Sequence, residues 1–226
     1  MKRIILIFAC SALVISSTAA LGQSRQSGRL YEVKRQGKVG FINRQGKEVV
    51  PPRFDDVRGA FTEGMARVQL NDRWGFMDKT GNLLIPTVYE DADDFSGGLA
   101  RVMVKGKWGF VDRSGRVVIP LDFDDADSFS DGMARVKSGG LWGFIDTTGK
   151  NAIPPLYKDS DDFREGLAPV KEGKKWGYVN KKGLMVIKAS YDDVRPFSEG
   201  LARVEIDGKK GYIDRNGVFV WGPEKE

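Results

Sequence analysis

The sequence predicts an all-β chain: a tandem array of six three-stranded antiparallel β-meanders, open and solenoid-like, with a propeller-like ring as the alternative. Three observations predict it. One phrase, Trp108-Gly109-Phe110-Val111-Asp112, returns as Trp74-Gly75-Phe76-Met77-Asp78, Trp142-Gly143-Phe144-Ile145-Asp146 and Trp176-Gly177-Tyr178-Val179-Asn180, with weaker copies around Gly40 and Gly211. The glycines of the six copies lie 35, 34, 34, 34 and 34 residues apart. A fixed period of this size marks units that cannot bury their apolar faces alone and must stack on their neighbours. Around each copy, short β-branched and aromatic runs are separated by glycine-containing turn signals, as in hairpins.

Residues 1–22 read as a secretory signal peptide. Lys2 and Arg3 supply the positive start, Ile4 to Ile15 the apolar stretch, and Ser16 to Gly22 a run rich in small residues that places cleavage near Gly22/Gln23. Twelve residues are too few to span a bilayer. An uncleaved anchor and lipid attachment at Cys10 are the weaker alternatives. The expected compartment is outside the cytoplasm: periplasmic, cell-surface or secreted. Residues 23–29 form a polar arm, 30–222 the repeat domain and 223–226 a polar tail.

The units begin near Leu30, Met65, Leu99, Met133, Leu167 and Leu201. In the unit that starts at Leu99, the strands are expected at Leu99 to Val104, Lys107 to Asp112 and Arg116 to Pro120. Trp108 and Phe110 alternate with Val111, so both faces of the middle strand are apolar and each meander is expected between two others. The glycine after each Trp is expected to admit a ring from a neighbouring sheet. Pro86, Pro120 and Pro154 close the third strands and mark them as edges, and Pro169 lies inside a first strand. Val39 and Lys210 stand in place of Trp in the terminal units, as solenoid caps would.

A ten-residue connection joins successive units. Its recurring acid is Asp56, Asp91, Asp125, Asp159 and Asp193, and its aromatic is Phe61, Phe95, Phe129, Phe163 and Phe197. One extra residue near Gly59 accounts for the single spacing of 35. Aspartates in such turns cap backbone amides, and pairing with the recurring Arg67, Arg101, Arg135 and Arg203 is a second expectation.

The whole phrase, Trp-Gly-Phe-[Val/Ile]-Asp-x-x-Gly-x-x-[Val/Ile]-Ile-Pro followed by [Phe/Tyr]-Asp-Asp and Phe-Ser-[Glu/Asp]-Gly-[Leu/Met]-Ala-Arg-Val, resembles the bacterial WG-repeat (KWG-repeat) proteins. The resemblance runs from Leu30 to about Trp221. It implies an all-β array, often in exported or surface proteins, and no shared catalytic site. Val39, Lys210, Pro169 in place of Arg and Lys188 in place of Pro depart from the pattern.

The chemistry open to the chain is narrow. Histidine is absent and Cys10 lies in the segment expected to be removed, so thiol nucleophiles, His-based triads and Cys/His zinc sites are excluded. Lys and Arg number 36 against 31 Asp and Glu; loss of Lys2 and Arg3 leaves an excess of three, too balanced for a nucleic-acid binder. Paired carboxylates could serve a glycan hydrolase, but near-identical copies lack the asymmetry that acid and base require. Calcium is the sharper alternative, at Asp91, Asp93 and Asp94 or at Asp159, Asp161 and Asp162, although the loops lack EF-hand spacing. The Trp side chains could form a ligand platform; their place beside glycine favours the core. The expected role is therefore non-enzymatic and cofactor-free, presenting an extended surface to a protein or glycan partner. If the signal reading holds, mass spectrometry of exported protein will give a chain starting near Gln23, and an intact Met1 terminus would refute it.

Overall fold

The computed structural model describes residues 28–222. The expected signal segment, most of the arm and the polar tail lie outside the described residues. Among these there is no helix, and the strands form six antiparallel sheets in tandem, none closed into a barrel. Sheet 1 covers residues 31–54, sheet 2 residues 56–89, sheet 3 residues 91–123, sheet 4 residues 125–157, sheet 5 residues 167–191 and sheet 6 residues 193–221.

Sheet 3 shows how the sequence sets the strands. Leu99–Val104 pairs with Lys107–Asp112 across the two-residue turn Lys105-Gly106, from Lys107↔Val104 to Asp112↔Leu99. Both turn residues have positive φ, 52° and 71°, the combination that matches the strand twist of a tight hairpin. Four sheets carry four strands where three are expected, because part of the connection runs back along the first strand: Asp91 pairs with Met103 and Ala92 with Val102. Sheet 5 stays three-stranded. There Pro169 occupies the first strand, and the connection is held by the bridge between Ser160 and Val170, with the Asp161 amide donating to the Pro169 carbonyl and the Lys171 amide to the Asp159 carbonyl, both at 2.9 Å.

The third strands are edges, as their prolines require, but they do not end at proline. Val117–Phe123 continues three residues past Pro120 through a bulge: Trp108 pairs with Phe123 and Phe110 with Ile119, so Gly109 alone faces Pro120, Leu121 and Asp122. This corrects the reason for the glycine. A Cβ on Gly109 would lie 2.6 Å from the Pro120 carbonyl oxygen and 2.7 Å from that of Ile119. The glycine thus makes room for the backbone of its own sheet, not for a ring from the next. Gly40, Gly75, Gly143 and Gly177 meet the same crowding, with closest approaches of 2.4–2.6 Å to the backbone of their own third strands.

Each sheet is buried on both sides where it has two neighbours. Trp74, Phe76, Ile85 and Tyr89 of sheet 2 pack forward on Ala92, Phe95, Ala100, Val102 and Val111 of the next unit, and the other junctions repeat this set. The connection aromatic meets the ring of the preceding phrase edge-on or tilted: Phe76–Phe95 at 4.9 Å, Phe110–Phe129 at 4.9 Å, Phe144–Phe163 at 4.8 Å and Tyr178–Phe197 at 5.0 Å. Phe41 and Phe61 repeat the pair at 5.5 Å.

The Trp position faces forward, which alters the reading of the ends. Val39 is buried at 3% exposure because sheet 2 covers the forward side of sheet 1, so its smaller size is no response to a missing neighbour. Lys210 is exposed, as expected where no seventh sheet follows among the described residues.

Truncating Trp108, which is 9% exposed, to alanine should cost about 3–5 kcal/mol, because a large buried ring leaves a cavity. Gly109→Ala should cost roughly 1–3 kcal/mol or more, since the rigid backbone over it cannot yield to a methyl group. Chemical denaturation of the two variants beside Gly106→Ala, whose added Cβ meets nothing within 4 Å, separates crowding from turn strain: the crowding account fails if Gly109→Ala is the milder of the two glycine changes.

Candidate functional site

Where the sheets meet, the recurring arginines and aspartates form an alternating ladder. Arg67 donates to Asp93 at 2.9 Å and to the Ala92 carbonyl, and lies 3.6 Å from Asp94. Arg101 donates through Nε to the other oxygen of Asp93 at 2.7 Å, reaches the Ala126 carbonyl, and lies 3.6 Å from Asp127. Arg135 grips Asp127 at 2.6 Å and 2.5 Å and donates to the Ser160 carbonyl. Each guanidinium also lies over a Trp ring, at 5.2 Å on Trp74, 4.4 Å on Trp108 and 4.0 Å on Trp142. Such stacked, charge-assisted contacts hold a long side chain in one geometry. At Pro169 the ladder stops, and Trp176 is more exposed than Trp74, Trp108 or Trp142.

The arginines therefore pair mainly with an acid two residues beyond the one expected. Asp56, Asp91, Asp125 and Asp159 instead accept the amide of the next residue at 2.8–3.0 Å. Asp193 lies 3.7 Å from Arg203, and Asp56 lies 3.3 Å from Arg58; only these two members of the recurring set make ion pairs. The roles of Asp93 and Asp127 were missed because Arg58 and Arg195 replace them in the outer copies, so the position does not recur throughout.

The proposed calcium ligands are dispersed by the same contacts. Asp91 turns to its own loop, Asp93 is shared by two guanidinium groups, and Asp161 accepts the Asp162 amide at 2.8 Å. Among the described residues, no three or more acidic side chains converge as a metal site would need. Two carboxyls are held above their ordinary range. Burial raises Asp94, against the pull of Arg67 and with a further push from Asp93; burial raises Asp162, and the Asp127 carboxylate adds to it.

A second acid class carries the turns after the middle strand. Asp112 accepts the Ser114 hydroxyl at 2.6 Å, the Ser114 amide at 2.9 Å and the Arg116 amide at 3.1 Å. The Ser114 hydroxyl bond, with those two amides and the charge of Arg116, outweighs partial burial and holds Asp112 below its ordinary range. Asp146 is lowered first by Thr148, and Asp214 first by the Val218 amide. Asn43 and Asn180 make the same amide contacts without charge.

These shifts set the acid response. A carboxyl lowered in the folded state adds stability above its unfolded pKa of about 3.9, and that stability is lost as pH falls through the folded value. Asp94 and Asp162 act oppositely, since a raised folded pKa disfavours the fold at neutral pH and the penalty lifts on protonation. Asp112→Ala should thus lower the melting temperature at pH 7, with a deficit that narrows below about pH 4. Asp112→Asn should retain most of the wild-type value. Asp162→Asn should raise the melting point at pH 7 and lose that advantage in acid. Melts at pH 7 and pH 3 check all three, and a deficit for Asp112→Ala that is independent of pH would count against the carboxylate's role.

Comparison with known proteins places these features in context. The family described as WG containing repeat matches residues 40–74, 74–108, 108–142, 142–176 and 176–209. No curated protein matches the chain. Among solved structures, a eukaryotic initiation factor aligns at 12% identity over 85% of this chain and 62% of that one, with a TM-score of 0.53. Hsv2 from Kluyveromyces marxianus aligns at 10% identity over 82% and 70%, with a TM-score of 0.50. A protein of unknown function from Bacteroides caccae aligns at 16% identity over 86% and 93%, with a TM-score of 0.33. The chain spans less than two thirds of the initiation factor's length, and at such identities the likeness concerns the fold alone. Five consecutive matches, each beginning at the glycine or tryptophan of the recurring phrase, show that this chain belongs to the WG containing repeat family.

Proposed function

We propose that this is an exported, non-enzymatic protein of six WG units in an open array, whose outer edges present an extended surface to a protein partner. One observation carries the reading. The third strand of every sheet from the second onward is an edge and exposes large apolar side chains: Leu84 and Val88 in sheet 2, Val117 in sheet 3, Leu156 in sheet 4, Val186 in sheet 5, with Leu184 exposed just before that strand, and Val220 in sheet 6. Exposed apolar edge strands invite pairing with other chains, and the prolines and bulges of the third strands in sheets 2 to 4 blunt them without covering these side chains. Here they recur along the array, and an extended partner segment could add to them by backbone hydrogen bonds with apolar anchors.

The non-enzymatic part of the proposal is supported by how the polar groups are spent. Asp93 and Asp127 are tied to arginines, Asp112 and its equivalents hold turns, and Trp74, Trp108 and Trp142 are buried. A glycan-processing role would require one carboxyl set apart from its copies; Asp162, raised and beside Asp127, is the place to look.

Cross-linking in the exporting cell, followed by capture, tests the reading. Wild type should retain a partner that the double variant Leu156→Lys/Leu184→Lys loses while melting normally. Equal capture by both would refute the edge surface. Release of sugar from envelope glycans, abolished by Asp162→Asn, would overturn the non-enzymatic assignment.

A further inference from the structure

Every internal junction joins the forward face of one sheet to the back face of the next, and the two end sheets each keep one half of that junction open. At the C-terminal end, the forward positions are Leu201, Tyr212 and Trp221, exposed at 37%, 42% and 65%. Their counterparts in the earlier sheets, such as Leu99, Phe110 and Ile119, are buried beneath the following sheet. At the N-terminal end, Tyr31 occupies the back-face position of Ala66 and Ala100 and is 43% exposed, whereas those alanines are buried. We infer that sheet 6 of one molecule docks on sheet 1 of a second copy, repeating between chains the junction that the chain makes within itself.

Two further features of the internal junctions single out the occupant. The turn glycine after each middle strand lies over a β-branched residue of the sheet before: a Cβ on Gly149 would come within 3.0 Å of Ile119, and one on Gly217 within 3.1 Å of Ile187. Gly46, the same glycine in sheet 1, has nothing within 4 Å of such a Cβ, and Trp221 takes the β-branched position in sheet 6 with nothing over it.

The other feature is ionic. An acid in the tight turn before a first strand accepts an amide of the next unit, and a base 50 residues further on closes over it. Asp131 accepts the Gly166 amide at 2.6 Å and the Lys181 ammonium at 2.9 Å. Glu165 accepts the Gly200 amide at 3.0 Å, and Arg215 donates to the Glu165 carbonyl at 2.6 Å. Glu63 and Arg113 form the same clasp. The other two junctions lack the clasp, with Gly97 and Thr147 in one and Gly28 and Lys79 in the other at the acid and base positions. Among the described residues, sheet 6 carries the acid, Glu199, with no sheet after it, and sheet 1 carries the base position, Arg44, with no sheet before it. Both are exposed, and neither has an ionic partner among the described residues.

The open acid, base, glycine seat and apolar faces thus belong to complementary halves of one junction. A different protein would need to reproduce this spacing; a second copy has it already. Such an interface is head-to-tail, so it grows into a ring or a filament and does not stop at a two-fold dimer.

Sedimentation of the full chain, as recovered from cells that express the whole sequence, tests this. Wild type should gain mass with concentration in whole multiples of the chain. Trp221→Glu blocks the C-terminal face and Tyr31→Glu the N-terminal one; both sites are exposed, and unchanged melting confirms folding. Each variant alone should associate at least about tenfold more weakly, since a charge would be buried without a partner. Mixed, they retain one intact face of each kind and should form a dimer that grows no further. Glu199→Arg and Arg44→Glu, each weaker alone, should likewise recover association when mixed. A wild type that stays monomeric at every concentration overturns the inference, as it would if residues before Gly28 covered sheet 1. Association unchanged in both face variants, or a mixture of the two that remains monomeric, overturns it as well. Loss of the outer-edge partner alone would leave this assembly intact, so the two readings fail separately.

Discussion

The contact on which the rest depends is the approach of the third strand's backbone to the glycine of the Trp-Gly phrase. Gly109 faces three residues of a bulged strand, and carbonyl oxygens stand where its side chain would be. The proline is compatible with this geometry because it lies on an edge and inside a bulge, where no ladder donor is lost. Bending the third strand over the glycine lets Ile119 and Phe110 face the same neighbour as Trp108. One glycine thus organises a layer of core, and its recurrence organises a stack of such layers.

Stacking then creates a second requirement, because the polar backbone of each connection is brought against the next sheet. The arginine ladder meets it. Each guanidinium satisfies a carbonyl of the following connection, binds the aspartate beside it and rests on a Trp ring. With side-chain exposures of 11%, 19% and 20%, Arg67, Arg101 and Arg135 are sheltered enough for their partners to matter more than surface pairs would. Where Pro169 removes the arginine the ladder stops, although the connection still bonds to that strand through the Asp161 and Lys171 backbone amides.

The same forward direction makes the molecule unequal at its two ends. The forward-facing position that Trp holds in sheets 2 to 5 is covered in every sheet but the last, which explains why Val39 is buried and Lys210 is not. Lys210 blunts the last face only partly, since Tyr212 and Trp221 remain exposed beside it. Edges and ends therefore offer different surfaces. The third-strand edges carry exposed apolar side chains, whereas the first and last described sheets each leave one face of a packed junction uncovered among the described residues.

The sequence by itself determined the period, the middle position of the Trp-Gly strand and the two-sided burial around Trp108, Phe110 and Val111. These follow from local rules of alternation, turn chemistry and proline, and they reappear in each copy. Only the tertiary structure decided what Gly109 makes room for, which acid Arg101 grips, why Val39 is small-sided yet buried, and which faces stay open at the ends. Recurrence identifies positions that every unit needs, but not the atoms they touch. Those contacts join residues in different strands or different sheets, and they exist only once a bulge fixes the register within a sheet and stacking fixes the direction between sheets.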